Sequence, residues 1–153
     1  GSLVEEIHRY RSLDTMQLVG HVVAAINLWE PAEVLIDEVG IGAGVVDRLK
    51  ELGHRVRGVN VGNPALDSEH YANMRAEGYW NLRQLLMEDA IVLPEDSELS
   101  GQLAALKYSF NSQGKALIES KEEMRRRGVP SPDKADALML AFLSSRRKVQ
   151  LWG

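Results

Sequence analysis

The chain has 153 residues, 44% of them hydrophobic, which suits one globular domain with a real core. It has no cysteine, which excludes disulfides and thiolate metal sites, and its net charge of −4 argues against a protein that coats DNA generally. No apolar run approaches the roughly 20 residues that span a bilayer and no signal peptide is visible, so a soluble intracellular protein is expected; Gly1-Ser2 reads as a cloning scar.

Taken in chain order, residues 3–11 are expected as a strand, with Val4, Ile7 and Tyr10 among charges, although the alternation is imperfect. Asp14 then opens a helix, with Gln17 placed to complete a capping box. Met16, Val19, Val23 and Ile26 recur at helical spacing, and Pro31 stops the helix after Trp29. Residues 33–37 form a short apolar strand, 44–52 a helix ending at Gly53, and 54–61 a valine-rich strand. Strand, helix and strand at this spacing predict a parallel crossover unit. After Gly62-Asn63-Pro64, a long helix is expected over 68–88, then a short one over 97–105. Residues 106–119 read as a β-hairpin turning at Asn111-Ser112-Gln113-Gly114. A helical turn at 121–127 precedes the last helix, for which Ser131 is the expected cap and Pro132 the first residue. Its core stripe is Ala135, Leu138, Met139 and Phe142.

The acidic residues carry the chemistry. Asp37 ends the apolar run Val34-Leu35-Ile36, and Asp133 and Asp136 lie three residues apart on the last helix, where they are expected to share one face. A carboxylate at a strand tip facing carboxylates in the first turns of a helix is a way to hold Mg²⁺ or Mn²⁺ over a phosphodiester, and no histidine cage is needed. That pattern suggests a nuclease. The alternative for Asp133 is a simple helix-dipole role, since any acid is favoured in a first turn. Asp136 sits within an apolar stripe and Asp37 follows three apolar residues, so both carboxylates need a compensating partner.

Charge is uneven along the chain: residues 115–153 hold nine Lys or Arg against five Asp or Glu, and residues 1–114 hold nine against seventeen. Lys121, Arg125, Arg126, Arg127 and Lys134 crowd beside the late acids and could grip phosphates; with Glu122 and Glu123 nearby, a solvated, ion-paired helix face is the competing reading. The turn at Gly40, Gly42 and Gly44 lacks the G-x-G-x-x-G spacing and is no P-loop, so no nucleotide cofactor is expected; the glycines serve a sharp turn and close backbone approach.

The run from Leu35 to Leu49, with Gly53-His54-Arg55-Val56, then Tyr71 to Glu77, Ser120 to Met124 and Ser131 to Leu138, resembles the nuclease domain of tailed-bacteriophage terminase large subunits. The resemblance spans residues 3–147, with 148–153 as a tail. It implies an α/β fold, an RNase H-like mixed sheet flanked by helices with an added β-hairpin, related to RuvC-type resolvases. It implies an Mg²⁺- or Mn²⁺-dependent endonuclease that cuts concatemeric viral DNA during genome packaging in the host-cell cytoplasm. The implied partners are double-stranded DNA, an upstream ATPase domain, the portal and the small terminase subunit. Asp37 matches the family's second metal-binding aspartate, Asp136 its late one, and Asp133 a histidine-or-aspartate position near the metals. In the intact family domain two ions would be held. Residues 3–11 match the third strand, so the first catalytic aspartate is expected to be missing, leaving this chain weakly active and prone to self-association. Lys107, Lys115, Lys121, Arg125, Arg126, Arg127 and Lys134 are the expected DNA contacts. The alternatives are a non-catalytic DNA- or portal-docking module and a nucleotide-binding α/β domain.

Overall fold

A computed structural model describes residues 1–11 and 13–143. The end of the expected domain, 144–147, and the 148–153 tail lie outside the described residues. The elements run β1 (Ser2–Leu3), α1 (Thr15–Trp29), β2 (Leu35–Asp37), α2 (Gly42–Glu51), β3 (Arg57–Val59) and α3 (Met74–Met87). They continue with β4 (Ile91–Val92), α4 (Ser97–Ala105), β5 (Tyr108–Phe110), β6 (Ala116–Ile118), α5 (Lys121–Arg126) and α6 (Asp133–Ala141). Strands and helices alternate, giving the expected mixed α/β class, with the strands paired two by two. Among the described residues no helix is long and apolar enough to cross a membrane.

Two compact units are present, Tyr10–Val61 and the combination of Gly1–Arg9 with the chain from Gly62 onward. In the Tyr10–Val61 unit, the Asp14 carboxylate accepts the Gln17 N–H at 2.8 Å while the Gln17 side chain accepts the Asp14 N–H at 3.0 Å, so α1 begins at the expected capping box. α1 ends at Glu30 in the left-handed region, just before Pro31. β2 and β3 pair in parallel, Asp37 opposite Val59, and α2 makes the crossover and ends at Gly53, whose φ of 85° suits glycine. Val19, Val45 and Leu49 form the core, with Ile36 and Val56 packed against it.

In the other unit, the expected 3–11 strand is much shorter. Only Ser2 and Leu3 pair, in parallel with Ile91 and Val92 of β4, a strand the sequence did not announce. The register would next pair Val4 with Leu93; the Val4 N–H does donate to the Val92 carbonyl at 2.9 Å, but the returning bond would need an N–H at Pro94, which has none, and the ladder stops. The helix expected from residue 68 begins at Met74, because the preceding segment pairs instead. Tyr71 bridges Ala116, with Ala72 N–H donating to the Ala116 carbonyl and Ala116 N–H to the His70 carbonyl. Asn73 is extended and its side chain accepts the Ala76 N–H at 2.9 Å, starting α3 afresh.

The hairpin forms as expected, β5 antiparallel to β6, turning where the Asn111 side chain accepts the Gln113 and Lys115 N–H groups. α3, α4, α6 and β6 pack together around Leu82, Leu99, Met124, Leu138 and Met139. A side chain at Gly78 would collide with Met139 and Leu143, so glycine is what permits the close crossing of α3 and α6. The buried Gln102 of α4 accepts the Ala135 N–H at 3.0 Å, satisfying one of the free donors at the start of α6.

Candidate functional site

Asp136 is the centre of a part-buried polar cluster, its side chain 15% exposed. Its Oδ1 accepts the Tyr79 hydroxyl at 2.5 Å, and Arg75 Nη2 lies 3.4 Å from the same oxygen. Lys121 Nζ stands 3.0 Å from Oδ2, which nonetheless receives no well-aligned hydrogen bond and is buried. Arg75 and Tyr79 are one helical turn apart on α3, the guanidinium 5.2 Å from the ring centroid. Arg75 also donates to the Glu119 carbonyl at 2.6 Å, so it ties α3 to the segment that leads into α5. Burial first, then the Asp136 charge and its hydrogen bond, push the Tyr79 hydroxyl well above its ordinary pKa, so Tyr79 is a fixed proton donor to Asp136 at neutral pH. Neither Arg75 nor Tyr79 stands out in the sequence beyond their spacing of four.

Asp133 has a different setting. Its side chain is 47% exposed, accepts the Ser131 hydroxyl at 2.6 Å and faces Arg9 at 3.5 Å. Asp133 and Asp136 both lie in the first turn of α6, three residues apart as expected, but they take separate partners, Ser131 and Arg9 for the first and Tyr79, Arg75 and Lys121 for the second. Ser131 spends its hydroxyl on Asp133 and does not cap α6; Pro132 takes the cap position with no side-chain hydrogen bond.

Asp37, in the other unit, closes β2, and its Oδ1 accepts the Val39 N–H at 3.0 Å. The glycine turn that follows is steric in origin: Gly40 has φ 69°, and any side chain at Gly42 would strike the Asp37 carbonyl. That close approach seats the start of α2 on the end of β2.

Most of the expected DNA-contacting cations are engaged by acids. Arg127 binds both Glu119 oxygens, at 2.5 and 2.7 Å, Arg126 binds Glu122 at 2.6 Å, and Lys121 faces Asp136. Lys134 bridges Asp96 at 2.7 Å and Glu98 at 3.0 Å, fastening α6 to the start of α4. Arg125 and Lys107 are exposed, and Lys115 is half-buried beside the hairpin turn.

The ion pairs set an acid limit on stability. The hydrogen bond to Lys134 holds Asp96 below its ordinary 3.8 and Glu98 below 4.5, and that to Arg127 holds Glu119 below 4.5. Carboxylates lowered on folding contribute stability that is full above those ordinary values and is lost as pH falls through the lowered ones. Lys134, raised above 10.5 by Asp96 and then Glu98, contributes below that value and loses its contribution in strong alkali. Thermal melting midpoints should therefore drop on acidification below pH 4.5, and Lys134→Met should start lower and fall less steeply. Parallel curves for the two proteins would show that the Lys134 bridges contribute nothing.

A hard divalent cation needs oxygen donors, and the buried Oδ2 of Asp136 is of that kind. Among the described residues, however, no three of His, Asp and Glu are grouped to hold a metal ion. The described residues therefore do not make a cage for two ions; Asp136 offers a single ligand, already faced by Lys121.

No protein-family model matches the chain, and no curated protein matches it significantly. Solved structures do. A variant nuclease domain of the large terminase subunit gp2 of bacterial virus Sf6, solved with manganese and beta-thujaplicinol, superposes with a TM-score of 0.76 at 20% identity, over 91% of this chain and 76% of that one. Another structure of the Sf6 gp2 nuclease domain gives 0.72 at 23% identity, over 91% and 76%. The large terminase nuclease from thermophilic phage G20c gives 0.67 at 18% identity, over 88% and 64%. The alternating elements, the Asp37 turn and the late helix carrying Asp136 thus belong to a chain with the RNase H-like fold of phage large-terminase nuclease domains.

Proposed function

We propose that this chain is a nuclease domain that cuts double-stranded viral DNA during genome packaging, as part of a large terminase subunit. The observation that carries the reading is the part-buried Asp136, held by Tyr79, Arg75 and Lys121 on a fold otherwise found in terminase nucleases. Structures of that fold solved with manganese or magnesium support Mg²⁺ or Mn²⁺ as the ion. Bound, the ion would supply charge to polarise the phosphodiester and acidify a water. Asp136 would be one of its ligands, and for Asp37 a metal-ligand role rests on the family resemblance alone. Tyr79 and Arg75 orient the Asp136 carboxylate through Oδ1, leaving Oδ2 toward Lys121. Asp133, more exposed and bound to Ser131, is assigned to positioning water. Two ions are part of the reading only with a fuller carboxylate set than the described residues group together, so weak metal binding and weak cutting are expected.

DNA is proposed to meet this chain through phosphates, with Arg125, Lys107 and Lys115 as contacts, and with Lys121, Arg126, Arg127 and Lys134 contributing only where an acid releases them. The ATPase domain, portal and small subunit as partners, and a host-cytoplasmic location, complete the reading. A second reading, a DNA- or portal-docking module, is favoured by the exposed Arg125 and Lys107, which would meet phosphates without any metal.

Nicking of supercoiled plasmid separates the two. The nuclease reading expects weak nicking that requires Mn²⁺ and disappears with chelator. DNA binding indifferent to Mn²⁺, with no nicking at any metal concentration, would transfer the chain to the docking reading.

A further inference from the structure

The ring of Tyr79 that donates its hydroxyl to Asp136 also forms part of the wall of a separate cavity. This cavity, about 350 Å³, is floored by apolar side chains of α3 and α4, among them Leu82, Leu86 and Leu103. Its size falls in the range of pockets that take small planar groups. Trp80 and Tyr108 stand at its side, perpendicular to each other with ring centroids 5.2 Å apart. Tyr108 in turn meets Phe110 edge-on at 6.0 Å. Tyr108 and Phe110 alternate on β5 and so project from one face of the hairpin, yet they are 57% and 61% exposed. Two large aromatic rings presented to water beside an apolar cavity are unfavourable unless something covers them.

The charge of the lining says what. Arg83 and Lys107 line the cavity, with Arg83 over the Trp80 ring at 5.5 Å, and among the described residues no acid lines it. Exposed aromatic rings with cations interleaved form a stacking platform flanked by phosphate contacts. We propose that this surface takes unpaired bases of single-stranded DNA, which stack on Tyr108 and Phe110 and enter the cavity beside Trp80, while Arg83 and Lys107 meet the adjoining phosphates. The inference deepens the DNA-cutting reading and rests on it: a strand frayed or opened next to the cleavage site would be held on this platform, with Tyr79 linking its wall to Asp136.

The test is fluorescence anisotropy with a labelled oligothymidine of about 10 nucleotides, a length suited to one such site, in chelator. An abasic oligonucleotide of the same length carries the same phosphates and no bases. The wild-type chain should bind oligothymidine at least about 10-fold more tightly than the abasic strand, since each stacked base adds to the affinity and the abasic strand has none. Tyr108→Ala with Phe110→Ala should remove that preference; both side chains are exposed, and Tyr108→Leu with Phe110→Leu guards against a folding defect. Equal binding of the two oligonucleotides, or an unchanged preference in both double variants, would overturn the inference. So would tight, Tyr108-dependent binding of an acidic, leucine-rich peptide with no preference for bases, which would make the cavity a protein-docking site. Plasmid nicking by the wild-type chain is read in parallel. Normal nicking without base preference sinks only the stacking platform, whereas absence of both nicking and DNA binding sinks the DNA-cutting reading itself.

Discussion

Asp136→Asn should reduce Mn²⁺-dependent nicking by about 100-fold or more, equivalent to about 2.7 kcal/mol of lost transition-state stabilisation. The substitution keeps the volume and the ability to accept the Tyr79 hydroxyl, but removes the charge that a cation would need. Arg75 and Lys121 would then face each other across a neutral amide, so affinity for Mn²⁺ should fall with the activity. The same variant has a readout that does not depend on cutting. Mn²⁺ affinity, followed by electron paramagnetic resonance in the absence of DNA, should fall in Asp136→Asn because Oδ2 loses its charge. Unchanged nicking in that variant would place the chemistry on other carboxylates, with Asp37 the first to examine by Asp37→Ala. Mn²⁺ affinity that does not fall would mean that the ion is held by other groups.

Glu77→Leu should cost about 3 kcal/mol of stability through two stranded donors. Glu77 is 5% exposed in the first turn of α3, and its two oxygens accept the Leu66 N–H at 2.8 Å and the Asp67 N–H at 3.0 Å. Leucine fills the space but takes both acceptors away from these part-buried backbone donors, which costs more than the bonds themselves contribute when made. For a chain of this length the loss corresponds to a fall in melting temperature of about 9 °C. Glu77→Gln keeps one acceptor and should lose roughly half as much. The consequence reaches the candidate site. The 66–67 loop precedes the Tyr71–Ala116 bridge, and the Asn73 cap after it sets where α3 begins and hence where Arg75 and Tyr79 project. Loss of nicking in Glu77→Gln at a temperature where the variant is fully folded would therefore point to a displaced Arg75–Tyr79 pair. A melting temperature equal to wild type in Glu77→Leu would show that water satisfies the loop.

What could be read from the sequence alone has a common physical character: it is decided within a few residues. The Asp14–Gln17 capping box, the Gly53 stop and the hairpin turn at Asn111 all depend on side chains bonding backbone two to four positions away, or on a backbone angle that only glycine takes without cost. The apolar stripe of α6 is of this kind too, and Ala135, Leu138 and Met139 are buried as the spacing requires. Tertiary structure decided the rest. The start of α3 moved from residue 68 to 74 because Tyr71 found a strand partner 45 positions away, and a pairing that distant leaves no mark on the local pattern. β1 shrank to two residues because the partner strand runs into Pro94. The basic stretch looked equally suited to phosphate or to solvent; the Glu119, Glu122, Asp96 and Glu98 carboxylates settled most of its cations into ion pairs. Asp136 stood out in sequence as an acid on an apolar stripe, but its partners come from α3 and α5, up to 61 residues away, and only packing brings those helices to one carboxylate.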